Sequence, residues 1–141
     1  MRFMIIVKAS KDSENGAKAT EQLIDEMAAY HEELAKAGAL LDDSGLHPSS
    51  KGWRVQYSGP KRTVVDGPFT ETKELVAVYT LIQAKSREEA MEWSLCFPNP
   101  SVDRKEAEIE VRRLFDPEDF GPSLGIGPEA AERFRKIGIG N

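Results

Sequence analysis

The chain has 141 residues, 40% of them hydrophobic and 30% charged, with a formal net charge of −5. That length suits one domain with one sizeable core, and the apolar fraction excludes a disordered chain. The acidic balance, with the densest basic groupings only pairs (Lys61-Arg62, Arg112-Arg113), speaks against a general nucleic-acid binder, which needs a basic patch to displace counterions.

Phe3 to Val7 is a short apolar run closed by Lys8 and a polar stretch from Ser10 to Gly16. It reads as a buried first strand followed by a loop, and is too short for the core of a signal peptide. From Thr20 to Ala37 the period turns helical. Leu23, Met27, Tyr30 and Leu34 form an apolar stripe with Ile24, His31 and Ala35 beside it, and charges fall on the other side. Gly38 stands where a helix end needs a left-handed residue. Ala39 to Leu41 begins a second strand that runs into Asp42-Asp43-Ser44-Gly45.

Trp53, Val55 and Tyr57 alternate with polar residues, as in a strand with one apolar face, and Ser58-Gly59-Pro60-Lys61 turns the chain into a returning arm at Thr63 to Val65. Leu75 to Ile82 is nearly all apolar, which predicts a central strand covered on both faces. Ser86 with Glu89 predicts a capping box opening a second helix, which Pro98 ends. Ala107 to Phe115 predicts a last strand. Beyond Asp116-Pro117, a tail containing Gly121, Pro122, Gly125 and Gly127 leads to a short helix from Glu129 to Lys136, opened by Pro128.

The order β-α-β-hairpin-β-α-β predicts an α+β fold with an antiparallel sheet and both helices on one face. The helix-free face, with Trp53, Val55 and Tyr57 or parts of the Leu75 to Ile82 strand on it, would then be apolar and uncovered, and a second copy is the simplest cover for it. The expected organisation is a domain over 1–121 and a C-terminal tail over 122–141. Cys96 is the only cysteine, so no intramolecular disulfide is possible, and its place at an apolar helix end suggests packing as a small hydrophobe. No stretch nears the ~18 apolar residues of a membrane helix. A cytoplasmic protein without membrane contact is the expectation.

Asp66-Gly67-Pro68-Phe69 followed by Thr70-Glu71-Thr72-Lys73-Glu74 resembles the signature of DGPF proteins within the YCII-related family. Tyr30-His31-Glu32-Glu33-Leu34, Gly45-Leu46-His47-Pro48, Glu89-Ala90 through Trp93, and Ile109-Glu110-Val111-Arg112 agree in order, so the resemblance spans roughly Arg2 to Gly121. It implies a ferredoxin-like fold and a dimeric α/β barrel in which two sheets face each other. It also implies a histidine and an aspartate near one cleft, without implying an established reaction. Where family members commonly carry glycines after the Lys-Glu pair, this chain has the bulkier Leu75 to Tyr79.

His31 falls on the inward stripe of the first long helix, where an imidazole must either be satisfied in the core or line a cavity. Imidazole as a class changes charge near neutral pH, which suits a general acid or base. Asp66, at a strand end before Gly67-Pro68, is placed to orient that imidazole, or else to accept backbone N–H groups in an Asx-turn. Glu71, Lys73 and Glu74 on the following loop, and His47 after the second strand, are candidates for holding a substrate, with a solvated loop as the plain alternative. No clustered metal ligands, nucleotide-binding glycine motif or nucleophile elbow is present, so neither metal nor cofactor is expected. Two functional readings stand ahead of a third, an inert structural dimer, which explains these residues least well. One is a cofactor-free lyase, isomerase or hydrolase using a His31–Asp66 acid–base pair on a small molecule. The other is a non-catalytic ligand-binding or sigma-factor-associated regulatory module.

Overall fold

A computed structural model describes residues 1–116, 119, 121 and 124–138. In chain order the elements are β1 (Arg2–Lys8), α1 (Lys11–Glu14), α2 (Glu21–Lys36), β2 (Leu40–Gly45), β3 (Trp53–Ser58), β4 (Lys61–Asp66), β5 (Val76–Gln83), α3 (Arg87–Leu95), β6 (Ile109–Arg113) and α4 (Pro128–Lys136). Single 3-10 turns occupy Ser49–Lys51 and Thr72–Glu74.

Four strands form one sheet in the order β2-β5-β1-β6, every pair antiparallel. With α2 joining β1 to β2 and α3 joining β5 to β6, this is the ferredoxin-like arrangement. Phe3, Ile5 and Val7 alternate with half-exposed residues along β1 and, with Ile82, meet Tyr30 and Leu34 of α2 and Ala90 of α3 in one core. Phe97, just past α3, completes it. Both long helices therefore cover the same face.

The helix ends follow the expected chemistry. Thr20 Oγ1 accepts the Leu23 N–H at 3.2 Å, satisfying one of the unpaired donors at the start of α2. At its other end Gly38, at φ +70°, allows the Ala39 N–H to reach back to the Leu34 carbonyl at 2.9 Å. Ser86 caps α3 by accepting the Glu89 N–H, while the Glu89 carboxylate accepts from Lys85 N–H, one residue earlier than a capping box would place it.

Several expectations change. The polar stretch after β1 holds the one-turn helix α1, capped reciprocally by Ser10 and Ser13. Strand β5 is central, but only Thr80 and Ile82 are buried, both on the face that carries the core. The last strand is shorter than predicted, Ile109–Arg113. Cys96 is exposed, because α3 directs Ala90, Trp93 and Phe97 to the core and leaves its far side to solvent. The β3–β4 hairpin is a separate two-stranded sheet with every residue exposed, so Trp53, Val55 and Tyr57 do not lie on the main sheet. The tail helix is present as α4, while Pro117, Pro122 and Ile139 to Asn141 lie outside the described residues.

Tyr30 locks the two helices together. Its hydroxyl donates to the Trp93 carbonyl at 2.7 Å, and its ring meets Phe97 edge-on at 5.1 Å. Burial, with Cys96 nearby, pushes its phenol well above the ordinary tyrosine value, so it remains a donor throughout the working range. Tyr30→Phe removes the donor and leaves the carbonyl without it, for an expected loss of about 1–3 kcal/mol in urea unfolding. An unchanged midpoint would show that water replaces the hydroxyl.

The end of the domain is tied back to its beginning by charge. Arg2 Nε lies 3.1 Å from Asp116 Oδ1, and Arg113 Nη2 lies 3.6 Å from Oδ2. The hydrogen bond from Arg2 leads the effects that hold the Asp116 carboxyl below the usual carboxylate range. A carboxyl with a depressed folded value adds stability that is present above its unfolded value and is lost as pH falls through the folded one. Asp116→Asn should therefore lower the unfolding midpoint at about pH 7 and converge with the parent at about pH 2. A constant gap across that range would contradict the linkage.

Candidate functional site

His31 is fixed by its own helix. One turn earlier on α2, the Met27 carbonyl oxygen lies 2.7 Å from His31 Nδ1. A carbonyl only accepts, so Nδ1 carries the proton and Nε2 holds the lone pair of the neutral ring. Nε2 lies 2.9 Å from Oγ1 of Thr80, which is fully buried on β5. The β2–β5 register sets Asp43 opposite Thr80. Asp43 Oδ1 is 3.4 Å from Thr80 Oγ1 and 3.5 Å from His31 Nε2.

The three groups form a chain whose hydrogen bonds can reverse. With the ring neutral, the Thr80 hydroxyl donates to Nε2. With the ring protonated, Nε2–H donates to Thr80 Oγ1, and the threonine proton turns toward Asp43. The His31 side chain is 14% exposed and that of Asp43 43%, so the carboxylate is the end that meets solvent.

Both residues line an open cleft of about 1540 Å³. Its walls are α2, the end of β1 with α1, the Thr72-Lys73 turn, and the segment from Pro100 to Glu108. That last wall is tethered to α2 by Arg104 Nη1, 2.5 Å from Glu26 Oε2, with Arg104 held at φ 61°, a left-handed conformation that costs free energy outside glycine. Lys8 in the cleft is paired with Glu110 at 3.3 Å, and Arg112 and then Lys8 hold the Glu110 carboxyl below its ordinary value. Lys11 and Lys73 also line the cleft and form no ion pair among the described residues.

Of the residues singled out from sequence, His31 and Lys73 reach the cleft. His47, Asp66, Glu71 and Glu74 are exposed and outside its lining. Asp66 ends β4 opposite Trp53, and among the described residues no hydrogen bond or ion pair joins it to His31 or closes an Asx-turn on it. Asp43 stands where an orienting carboxylate was sought. It belongs to the acidic run of β2, which carries no sequence signal of this role.

The segment around Asp66 has another task. A Cβ on Gly67 would stand 1.8 Å from the Ser49 carbonyl oxygen, so only glycine admits this approach. Ser49 Oγ accepts the Phe69 N–H at 2.9 Å and itself donates to the Glu14 carboxylate, which also accepts the Ser49 N–H at 2.8 Å. Arg54 stacks over the Phe69 ring at 3.8 Å. The Asp-Gly-Pro-Phe turn is thus clamped between α1, the 3-10 turn at Ser49 and the hairpin, immediately ahead of the turn that presents Lys73.

Among the described residues no helix is long and apolar enough to cross a membrane, and no group of three or more potential metal ligands converges. Fold and site together define a ferredoxin-like α+β domain with a histidine–threonine–aspartate chain opening into a cleft beside its helices. Residues 1–114 match the YCII-related domain, and the chain belongs to that family. An uncharacterized protein of Rhizobium meliloti (strain 1021) is 27% identical over 97 residues, which is 69% of this chain and 78% of the relative. A solved structure, 5-chloro-2-hydroxyhydroquinone dehydrochlorinase from Burkholderia phenoliruptrix in complex with 2,5-dihydroxybenzoquinone, aligns with a TM-score of 0.41 at 16% identity. The alignment covers 82% of this chain and 95% of that one, and the likeness is too distant to bear on chemistry.

Proposed function

We propose that this YCII-related protein, of the DGPF type, is a cofactor-free enzyme moving protons on a small organic molecule, as a lyase, isomerase or hydrolase. The observation that carries the reading is the chain His31–Thr80–Asp43 at the cleft. Asp43 takes the part sought for Asp66. A substrate proton accepted at the exposed Asp43 end passes through the Thr80 hydroxyl to Nε2, and Nδ1 keeps its bond to Met27 throughout. The half-buried ring stores the proton and returns it to a later intermediate, the work of a general base that becomes a general acid. Lys11 and Lys73, without carboxylate partners, suit an anionic substrate or the negative charge that develops when a proton leaves carbon. His47, Asp66, Glu71 and Glu74 would touch a ligand only where a second subunit brings them to the cleft.

A homodimer belongs to this reading. The helix-free sheet face carries Met4, Ile6, Tyr79 and Leu81, and a second copy of the sheet would cover it as in a dimeric α/β barrel. One observation favours the alternative, a non-catalytic ligand-binding or sigma-factor-associated regulatory module. Asp43 stands 3.4 Å from the threonine hydroxyl, loose for a proton path.

The deciding experiment is a thermal-shift survey of small enolisable carbonyl and hydroxy acids, with every stabilising compound followed by NMR for turnover. Turnover that falls in Asp43→Asn while binding persists supports the enzyme. Binding without turnover in the parent, across the pH range, turns the reading to a binding module.

A further inference from the structure

Two antiparallel strands with nothing stacked on them are marginal in water, and β3–β4 stands apart from the main sheet. Its register sets Trp53 opposite Asp66, Val55 opposite Val64 and Tyr57 opposite Arg62. Cross-strand partners share a face, so Trp53, Val55, Val64 and Tyr57 form one apolar stripe. They are 65%, 40%, 64% and 67% exposed. The opposite face carries Arg54, stacked on Phe69, with Val65, Gln56, Thr63, Ser58 and Lys61, and is the more polar of the two. The ribbon is therefore amphipathic, and among the described residues its apolar side stays largely exposed.

Charge indicates what would cover it. Residues 53–66 hold three cations (Arg54, Lys61, Arg62) and one anion, in a chain whose net charge is −5, so the remaining body is more acidic than the whole. Arg62 lies over the Tyr57 ring at 5.1 Å, beside the apolar stripe. A surface of matching character lies on α3. Glu88, Met91, Glu92 and Leu95 follow the i, i+3, i+4, i+7 spacing of one helix stripe. All four are exposed, Met91 at 43% and Leu95 at 78%. Apolar side chains turned outward between glutamates are the counterpart of an apolar ribbon edged by Arg62. Hairpin and stripe are both exposed among the described residues of one chain.

We propose that the β3–β4 hairpin docks through Trp53, Val55, Tyr57 and Val64 onto the outer stripe of α3 in a second copy of this chain, with Arg62, on the same face, meeting Glu88 and Glu92. A two-fold axis makes the contact reciprocal, each hairpin gripping the other copy, which closes the assembly. This surface is separate from the helix-free sheet face and acts whether or not that face is also paired.

Sedimentation equilibrium of the full chain tests it, using Val64→Asp on the hairpin, Leu95→Asp on α3 and Leu81→Asp on the helix-free face, with circular dichroism confirming each fold. Val64→Asp and Leu95→Asp should each weaken self-association by about tenfold or more. Arg62→Glu and Glu92→Arg should each weaken it, and the two together should recover most of the loss, because the swapped pair restores opposite charges. A parent that stays monomeric up to about 100 μM overturns the proposal. So does association indifferent to Val64→Asp, or sensitive to Val64→Asp but not to Leu95→Asp. Loss with Leu81→Asp alone assigns the contact to the sheet face, which leaves the dimer of the proposed function standing and this hairpin contact refuted.

Discussion

Gly67→Ala is expected to destabilise the protein by about 3 kcal/mol, near the upper end for inserting a methyl group into a packed site. The added carbon would meet the Ser49 carbonyl oxygen at 1.8 Å and its carbon at 2.6 Å, and both are backbone atoms. No rotamer can relieve the overlap. Either the turn or the 3-10 segment must move, and each holds the other. The Gly67 N–H bonds the Gly52 carbonyl at 3.0 Å, and Phe69 N–H bonds Ser49 Oγ at 2.9 Å. Urea unfolding measures the loss. Hydrogen exchange should show faster opening confined to residues 49–52 and 66–75. A variant with the parent's midpoint and exchange pattern would mean that the close approach has no energetic weight.

His31→Gln is expected to cut turnover of whatever substrate the cleft accepts by about 10²–10⁴, the usual worth of a general acid or base. Glutamine keeps polar atoms near Met27 and Thr80 but cannot take up a proton. The companion variant Thr80→Val separates relay from storage. It preserves shape at a fully buried position, removes the hydroxyl that lies 2.9 Å from Nε2, and leaves His31 and Asp43 in place. If the hydroxyl carries the proton, Thr80→Val loses most of the rate with KM little changed. If Thr80→Val is as active as the parent while His31→Gln is inactive, the proton travels directly across the 3.5 Å between Asp43 and Nε2. Full activity in His31→Gln would remove the acid–base reading altogether.

The main elements were legible because their patterns are local. The stripe Leu23, Met27, Tyr30, Leu34 announces α2, and Gly38 its end. The inward direction of His31 follows from the same periodicity. Its carboxylate partner could not be read off the chain, for a definite reason. Leu40 pairs with Ile82, and the register then skips Leu41 before Asp42 pairs with Leu81 and Asp43 with Thr80. Without that bulge Asp42 would have faced Thr80, since a one-residue slip exchanges the faces of a strand. Nothing in Asp42-Asp43-Ser44-Gly45 reveals which aspartate turns toward the helices. Asp66 heads a recognisable motif, yet Gly67 and Phe69 make that motif's contacts, and they are architectural. Lys73 is the member of the following run that reaches the cleft. The exposure of Cys96 is likewise tertiary: α3 has apolar residues on two sides, and only packing decides which is covered.

The base of the hairpin makes it a detachable module. Trp53 to Asp66 leave and re-enter the body between Gly52 and Gly67, which already touch across the gap through the 3.0 Å hydrogen bond. The excursion lies between β2 and β5, which pair directly with each other, so no strand of the four-stranded sheet depends on it. A lineage could lengthen, trim or discard the arm by editing one short gene segment, while the cleft with its histidine, threonine and aspartate is inherited intact. Cleft and hairpin are thereby able to evolve as separate parts of a small domain.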